Sequence, residues 1–235
     1  SAAYSAKTVG AKFIEFLRKR LVLLRELLAE DGSIYVRMDY HFGHYVKVVM
    51  DEVFGQENFL NEIVINRFKR QLSGIKKFNV ATDSLFIYSK SNSPEFKEIL
   101  RKRICSFCGQ EVQPAWRGMS SPGLRRPPER IIFGKKMLPP QGRHWTFTQE
   151  RIEQLVKEKR IRMNEGISYT DLEGNKVRGL PEYLQTEDTP VDSNWTDLKG
   201  YVFNAKYPTE NPEELLERVL RVSSDEGDLV VDVFA

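Results

Sequence analysis

The 235 residues carry 36 lysines and arginines against 33 aspartates and glutamates, a net charge of +3, with 40% hydrophobic and 29% charged residues. That balance is expected of a soluble globular chain and excludes disordered, collagenous and disulfide-stapled classes. No apolar run reaches the roughly 18 residues of a membrane span, the first residues lack a secretory pattern, and the two cysteines suit a reducing, cytoplasmic setting.

From Ala11 to Glu30 the residues Phe13, Phe16, Leu17, Leu21, Leu24 and Leu28 recur at helical spacing with basic residues between them, which predicts an amphipathic helix. Gly32 is expected just past its end in a left-handed conformation. Ser33–Met38 reads as a strand with Ile34, Val36 and Met38 on one face. A second helix, His44 to Phe54, is expected to bury Tyr45, Val48, Val49 and Val53 and to stop at Gly55. Strands Glu62–Asn66 and Ser84–Ser89 follow. Helices and strands in such quick alternation predict a three-layer α/β sheet.

After Ser89 the pattern changes. The stretch 91–194 holds most of the prolines, scattered arginines and one clear helix, Thr148 to Lys159. A long irregular segment of this kind is either a small domain or a functional insertion. The α/β pattern resumes at YPTENPEELLERVLRVSSDEGDLVVDVFA, 207–235. Here Asn211 is expected to cap a helix, with Pro212 in its first turn and Glu214 as the capping-box acid. Leu215, Leu216, Val219, Leu220 and Val222 form its buried stripe, and Leu229–Phe234 reads as a parallel strand covered on both faces. Asp232 near the end of such a strand is costly unless partnered. The divisions are therefore 1–93, 94–195 and 196–235.

Several groups of residues carry chemistry. Arg67, Lys69, Arg70, Lys76 and Lys77, in RFKRQLSGIKKF between two strands, suit a phosphate-contact strip, although composition alone favours an ordinary solvated surface. Arg117, Arg125, Arg126, Arg130 and Arg143, with Trp116 and Trp145, are the types that read guanine edges and pack on sugars. They are equally the types that hold an irregular domain together through backbone carbonyls. The two-cysteine knuckle CSFCG, Cys105 to Gly109, has only His144 in its region, and tetrahedral zinc needs four ligands. A pair of buried thiols is the favoured reading, and His41 and His44 read as surface residues at a helix start.

YPTENPEELLERVL followed by GDLVVDVF resembles the junction of motifs X and I in amino-group DNA methyltransferases of the β class. LLAEDGSIYVRMDYHFGHYVKVVMDEVFGQENFLNEIVINR and ATDSLFIYSKSN are similar to the segments that follow the catalytic motif in the same enzymes, especially the modification subunits of type III restriction-modification systems. The resemblance covers roughly half the chain, in the family's order. Asn211 stands where the family usually has lysine, and Val233 where it usually has proline. The family's Asp-Pro-Pro-Tyr tetrad is not supplied by Ser1 to Lys12, and its Gly-Ser-Gly would follow Ala235.

The resemblance implies an incomplete doubly wound, Rossmann-type methyltransferase sheet with an irregular α+β target-recognition insertion at 94–195. It implies S-adenosylmethionine as cofactor, with Tyr207, Pro208, Thr209 and Asn211 near its methionyl end and Asp232 and Phe234 leading into its loop. It also implies double-stranded DNA as substrate, adenine N6 as the favoured acceptor, a restriction subunit as partner and a homodimer as one form of assembly. Without the tetrad and the glycine loop, the chain is expected to be inactive alone. The alternatives are a non-catalytic DNA-binding or specificity protein on the same scaffold, and an α/β enzyme for another nucleotide-like ligand.

Overall fold

The computed structural model describes residues 10–67, 73–74, 76–105, 107–202, 205–206 and 210–233. In chain order the elements begin with α1 (Ala11–Leu27), β1 (Ser33–Met38), α2 (Gly43–Phe54), a 3-10 turn (Gln56–Asn58), β2 (Phe59–Asn66) and β3 (Thr82–Ser89). Short strands follow: β4 (Leu100–Lys102), β5 (Trp116–Gly118), β6 (Ser120–Pro122), β7 (Arg130–Ile132), β8 (Lys135–Met137) and β9 (Arg143–Trp145). Then come α3 (Gln149–Lys157), β10 (Ile161–Thr170), β11 (Lys176–Leu184), β12 (Asp188–Pro190), β13 (Asn194–Trp195) and α4 (Glu213–Ser223). The chain forms two compact units, residues 1–100 with 190–235 and residues 101–189.

The first unit is built on a mixed sheet of order β1-β3-β2-β13. β3 runs antiparallel to both its neighbours, while β13 is parallel to β2. Alternation along β3 sends Phe86 and Tyr88 to one face, where they pack with Leu17 and Leu21 of α1 and Val46, Val49, Met50, Val53 and Phe54 of α2. Leu85 and Ile87 go to the other face, with Ile63, Ile65, Trp195 and Leu215 of α4. Helices thus cover both faces of a sheet that is mixed rather than parallel. Among the described residues no helix is long and apolar enough to cross a membrane.

Several expectations are corrected here. α1 ends at Leu27, and Leu28 is already extended (φ −67°, ψ 138°). Gly32 is not left-handed; it is small because a Cβ there would meet the Leu28 side chain at 3.0 Å. Gly55, at φ 91°, does terminate α2. α2 is apolar on both sides, so its buried stripe was ambiguous: Val46, Val49, Met50, Val53 and Phe54 face the sheet, whereas Tyr45 (64%) and Val48 (66%) are exposed. Pro212, not Asn211, stands at the N-cap of α4, with no side-chain cap. Leu215 and Val222 are buried and the half-buried Val219 packs on the cluster that holds Leu215, but Leu216 and Leu220 are exposed. The expected strand 229–234 is not formed over its described residues, and Leu229, Val230, Val231 and Val233 are exposed. A strand buried on both faces needs hydrogen-bonded neighbours, and no described strand pairs with this segment.

The second unit holds a three-stranded antiparallel sheet, β10-β11-β5, and the two-stranded pairs β6–β9 and β7–β8. Its core is Met119, Ile132, Trp145, Ile152, Leu155 and Ile161. Thr148 caps α3, its hydroxyl accepting from the Arg151 amide at 3.4 Å. The buried carboxylate of Glu182 accepts from Arg162 at 2.8 Å and Asn164 at 2.9 Å, bonds that hold its pKa below the ordinary value against burial.

A polar contact sits inside the first core. The Tyr88 hydroxyl donates to Asp51 Oδ1 at 2.6 Å, and Lys47 Nζ donates to both oxygens of that carboxylate at 2.7 and 2.8 Å. Burial pushes the Asp51 pKa up, but the Lys47 and Tyr88 bonds outweigh it and leave it below the usual 3.8. A carboxylate with a lowered folded pKa stabilises the fold above its unfolded pKa, and that contribution is lost as pH falls through the lowered value. Tyr88→Phe is therefore expected to cost about 1.5–2 kcal/mol near neutral pH, read as a lower urea midpoint at unchanged slope. The gap from the parent chain should narrow once the pH falls below about 4.

Candidate functional site

β1 and β2 run the same way on either side of β3, so their carboxyl ends and the start of β3 meet at one edge of the sheet: Met38 pairs with Ser84, and Asn66 with Thr82. Loops beyond carboxyl ends of strands are where α/β sheets gather ligand-binding groups. At this edge Arg37, one residue before the end of β1, projects on the α4 side. Its guanidinium donates to Asp83 Oδ2 from Nε at 3.2 Å and from Nη2 at 2.8 Å. Nη1 donates to Asn211 Oδ1 at 2.9 Å, and Nη2 also reaches the Gly200 carbonyl at 2.6 Å. One side chain thereby ties two strands to the loop after β13 and to the residue preceding the N-cap of α4.

The network continues outward. Arg67, just past β2, donates to Asp83 Oδ1 at 3.1 Å and lies 3.5 Å from Asp39 Oδ2. Asp39, just past β1, accepts from the His41 amide at 3.0 Å and lies 3.0 Å from His41 Nδ1. Burial raises the Asp39 pKa, but the hydrogen bonds from His41 and the charge of nearby Arg67 outweigh it and hold the carboxylate below its usual value. Positive and negative groups alternate along the edge, so the Asp83 side chain, only 9% exposed, is neutralised from both sides.

Gly200 shows how tightly the loop is seated. A Cβ at this residue would lie 1.4 Å from the Asn66 backbone oxygen, so only glycine lets the two backbones approach. Asn66 Nδ2 also donates to the Thr196 carbonyl, and to that of Leu198 at 3.0 Å.

Of the residues expected to hold a cofactor, Asn211 is in this network, as an acceptor rather than a helix cap. Tyr207, Pro208, Thr209 and Phe234 lie outside the described residues. Asp232 is on the exposed segment after α4. Of the basic strip, Arg67 is engaged by Asp83 and Asp39, Lys76 and Lys77 are exposed, and Lys69 and Arg70 lie outside the described residues. The loop that carries them is closed at its base by the Arg67 amide donating to the Ala81 carbonyl at 2.9 Å. Arg37, Asp39, Asp83 and Gly200 were missed. The available signal was charge in the wrong place: an arginine inside SIYVRM and an aspartate opening TDSLFIYS.

In the second unit the arginines divide. Arg130 donates to the carbonyls of Pro127, Glu129 and Phe147 at 2.8, 2.7 and 3.2 Å. Arg143 donates to the hydroxyl and carbonyl of Ser120. These two brace the backbone. Arg117, Arg125 and Arg126 are exposed. Trp145 is buried in the core and donates to the Met137 carbonyl at 3.1 Å, while Trp116 carries the Arg162 guanidinium 4.3 Å above its ring. Cys105 and Cys108 are free thiols but not the buried pair expected: Cys105 is half-buried and Cys108 exposed, at a short turn open to solvent. Backbone amides of Cys108 and Phe107 lower the Cys105 pKa, and no cluster of three metal-ligating side chains occurs among the described residues.

A mixed α/β unit with a polar network at its strand ends, interrupted in the chain by a second unit, is consistent with a methyltransferase domain. The chain belongs to the DNA methylase family (N6_N4_Mtase), which matches residues 2–235. It is 29% identical over 99% of its length to the type II methyltransferase M.EcaI of Enterobacter cloacae, covering 52% of that protein. It is 22% identical over 97% of its length to the StyLTI Mod subunit, a type III restriction-modification enzyme of Salmonella typhimurium, covering 37% of it. The type II methyltransferase M.KpnI of Klebsiella pneumoniae matches 36% of the chain at 33% identity, over 20% of its own length. The chain thus spans about half the length of the first of these relatives and little more than a third of the second.

The network makes a stability prediction. Asp83→Ala leaves two guanidinium groups facing each other without their shared carboxylate, and is expected to cost about 3 kcal/mol. Combining it with Arg37→Met is expected to cost less than the sum of the single changes, because the second removes a charge the first has stranded. Urea unfolding of the four proteins reads the coupling directly; simple additivity would contradict the network.

Proposed function

We propose that this chain is the cofactor-seating and DNA-reading portion of a site-specific DNA methyltransferase of a restriction-modification system. It would serve transfer of a methyl group from S-adenosylmethionine to an exocyclic amine, adenine N6 favoured, on cytoplasmic DNA. The observation that carries the reading is the Arg37 clasp, which pins Asn211 to the carboxyl end of β1 at 2.9 Å, beside the root of a loop rich in lysine and arginine. Residues 207–211 resemble the family's motif X, with Asn211 in the place of its lysine, so the clasp holds the last residue of the segment expected to meet the cofactor.

S-adenosylmethionine, when bound, supplies an electrophilic methyl group on a sulfonium sulfur. An amino-acid end with carboxylate and ammonium groups suits a segment whose polar members are Tyr207, Thr209 and Asn211, with Asp232 and Phe234 at the neighbouring motif. Asn211 is already oriented by Arg37, and its amide nitrogen is a donor that such a carboxylate can use. Methyl transfer to an amine is an in-line displacement, so holding the partners in line does most of the work. The Asp-Pro-Pro-Tyr and Gly-Ser-Gly stretches of the family pattern are not among these residues; the side chains discussed here seat and position rather than carry the transfer.

The DNA side is read in two parts. Lys69, Arg70, Lys76 and Lys77 contact phosphates, while Arg67 anchors their loop through Asp83. Arg117, Arg125 and Arg126 of the second unit face the duplex, on a framework braced by Arg130 and Arg143. The target base is inside the duplex and has to be flipped out before an exocyclic amine can react. The Mod subunits among the relatives suggest a restriction subunit as partner, and the resemblance to the family adds a second copy of the protein.

Binding to duplex DNA across a salt series tests the reading. Affinity is expected to fall linearly on logarithmic axes, and Lys76→Gln with Lys77→Gln to make the slope shallower by about 2 while weakening every sequence alike. Absence of salt-dependent affinity would sink the proposal. Nucleoside analysis of host DNA should show N6-methyladenine at one short sequence; N4-methylcytosine there would reassign the acceptor.

A further inference from the structure

The β7–β8 pair in the second unit turns on Phe133 and Gly134, whose φ angles are 49° and 74°. Two successive left-handed residues make the tight turn that asparagine, aspartate and glycine enter readily. A bulky aromatic side chain is strained at the first of these positions. Nor is the ring used to close the fold: Phe133 is 47% exposed, whereas its neighbour Ile132 is 1% exposed in the core.

The root of the hairpin is fixed as firmly as its tip is bare. Gln149 at the start of α3 accepts from the Ile131 amide at 2.9 Å and donates to the Ile131 carbonyl at 3.1 Å. Arg130 brackets the entrance through the carbonyls of Pro127, Glu129 and Phe147. Lys135 and Lys136 follow the turn and are exposed, Lys136 lying 3.3 Å from Glu129. Ile131 is exposed as well, and the exposed Arg125 and Arg126 precede the hairpin. A rigid base, a strained apolar tip and flanking cations form a preorganised wedge for a stacked polyanion.

We propose that Phe133 is an apolar wedge for duplex DNA, entering between base pairs at a destabilised step while Lys135 and Lys136 contact the adjoining phosphates. Proteins that insert such side chains unstack a base step and gain contact in return. The inference rests on the reading that the chain binds DNA, and it adds the residue that opens the stack, a different task from reading base edges with arginine.

The test compares the chain with Phe133→Asn and Phe133→Tyr on two fluorescently labelled duplexes of mixed sequence, identical except for one mismatched pair. Unstacking is easier at a mismatch, so a wedge makes the parent chain prefer the mismatched duplex, by about tenfold. Phe133→Asn is expected to raise or preserve the urea midpoint, because asparagine accepts the left-handed conformation, yet to abolish the mismatch preference with the salt slope unchanged. Phe133→Tyr should keep the preference. If the parent chain binds DNA with a normal salt slope but shows no mismatch preference, or if Phe133→Asn retains it, the wedge is wrong. If the parent chain shows no salt-dependent DNA affinity at all, the failure lies with the DNA-binding reading beneath it.

Discussion

Arg37 sits half-buried, one residue from the end of an outer strand of the sheet, and satisfying its guanidinium organises the groups at the strand-end edge. A cation drawn partly out of water is held most favourably where its donors meet acceptors and a counter-charge. Asp83 provides the counter-charge, Asn211 and the Gly200 carbonyl provide the remaining acceptors. Because these come from β3, the loop after β13 and the residue preceding α4's N-cap, the same charge that must be neutralised also brings distant segments of the first unit together. Arg67 shares the Asp83 carboxylate, so the root of the basic loop is set by the same balance.

This coupling gives a physical sense to one departure from the family pattern. Where the pattern has lysine, this chain has Asn211, and the Asn211 oxygen is 2.9 Å from a guanidinium nitrogen. An ammonium in that place would meet Arg37 with like charge and no acceptor, whereas a carboxamide supplies one. The asparagine and the arginine on β1 are therefore read as a matched pair, each residue making sense of the other.

The fold was legible wherever one periodicity dominated. β1 and α3 emerged within a residue or two, and β2 and β3 within three, since strand alternation and a threonine cap have few competing readings. α2 was found with its stripe half right: Val49 and Val53 are buried as expected, whereas Tyr45 and Val48, as apolar as the Met50 and Phe54 that pack on the sheet, are exposed. Asn211 was read as a cap from local sequence, and a partner 174 residues away in the chain claimed its side chain instead. The segment after α4 read as a buried strand on composition, but burial needs edges to pair with, and composition does not carry that information. The strand-end network was illegible as a network for the same reason: Arg37, Asp83 and Asn211 are ordinary residues until the sheet's register brings them to one edge.

The arginines of the second unit show how one residue type divides between two tasks in a domain with little regular structure. A unit of short strands leaves many carbonyls outside any ladder, and buried ones need donors. Arg130 and Arg143 meet that need with forked guanidinium groups that reach several carbonyls at once, a job lysine does less well. The residues they brace include Pro127 and Glu129 before the hairpin, Phe147, and the strand at Ser120. Rigidity bought in this way frees Arg117, Arg125, Arg126 and Phe133 from structural duty. For Arg130 and Arg143 the bracing reading of the arginine-rich region holds, whereas Arg117, Arg125 and Arg126 are exposed and take up the DNA-reading role only as proposed above.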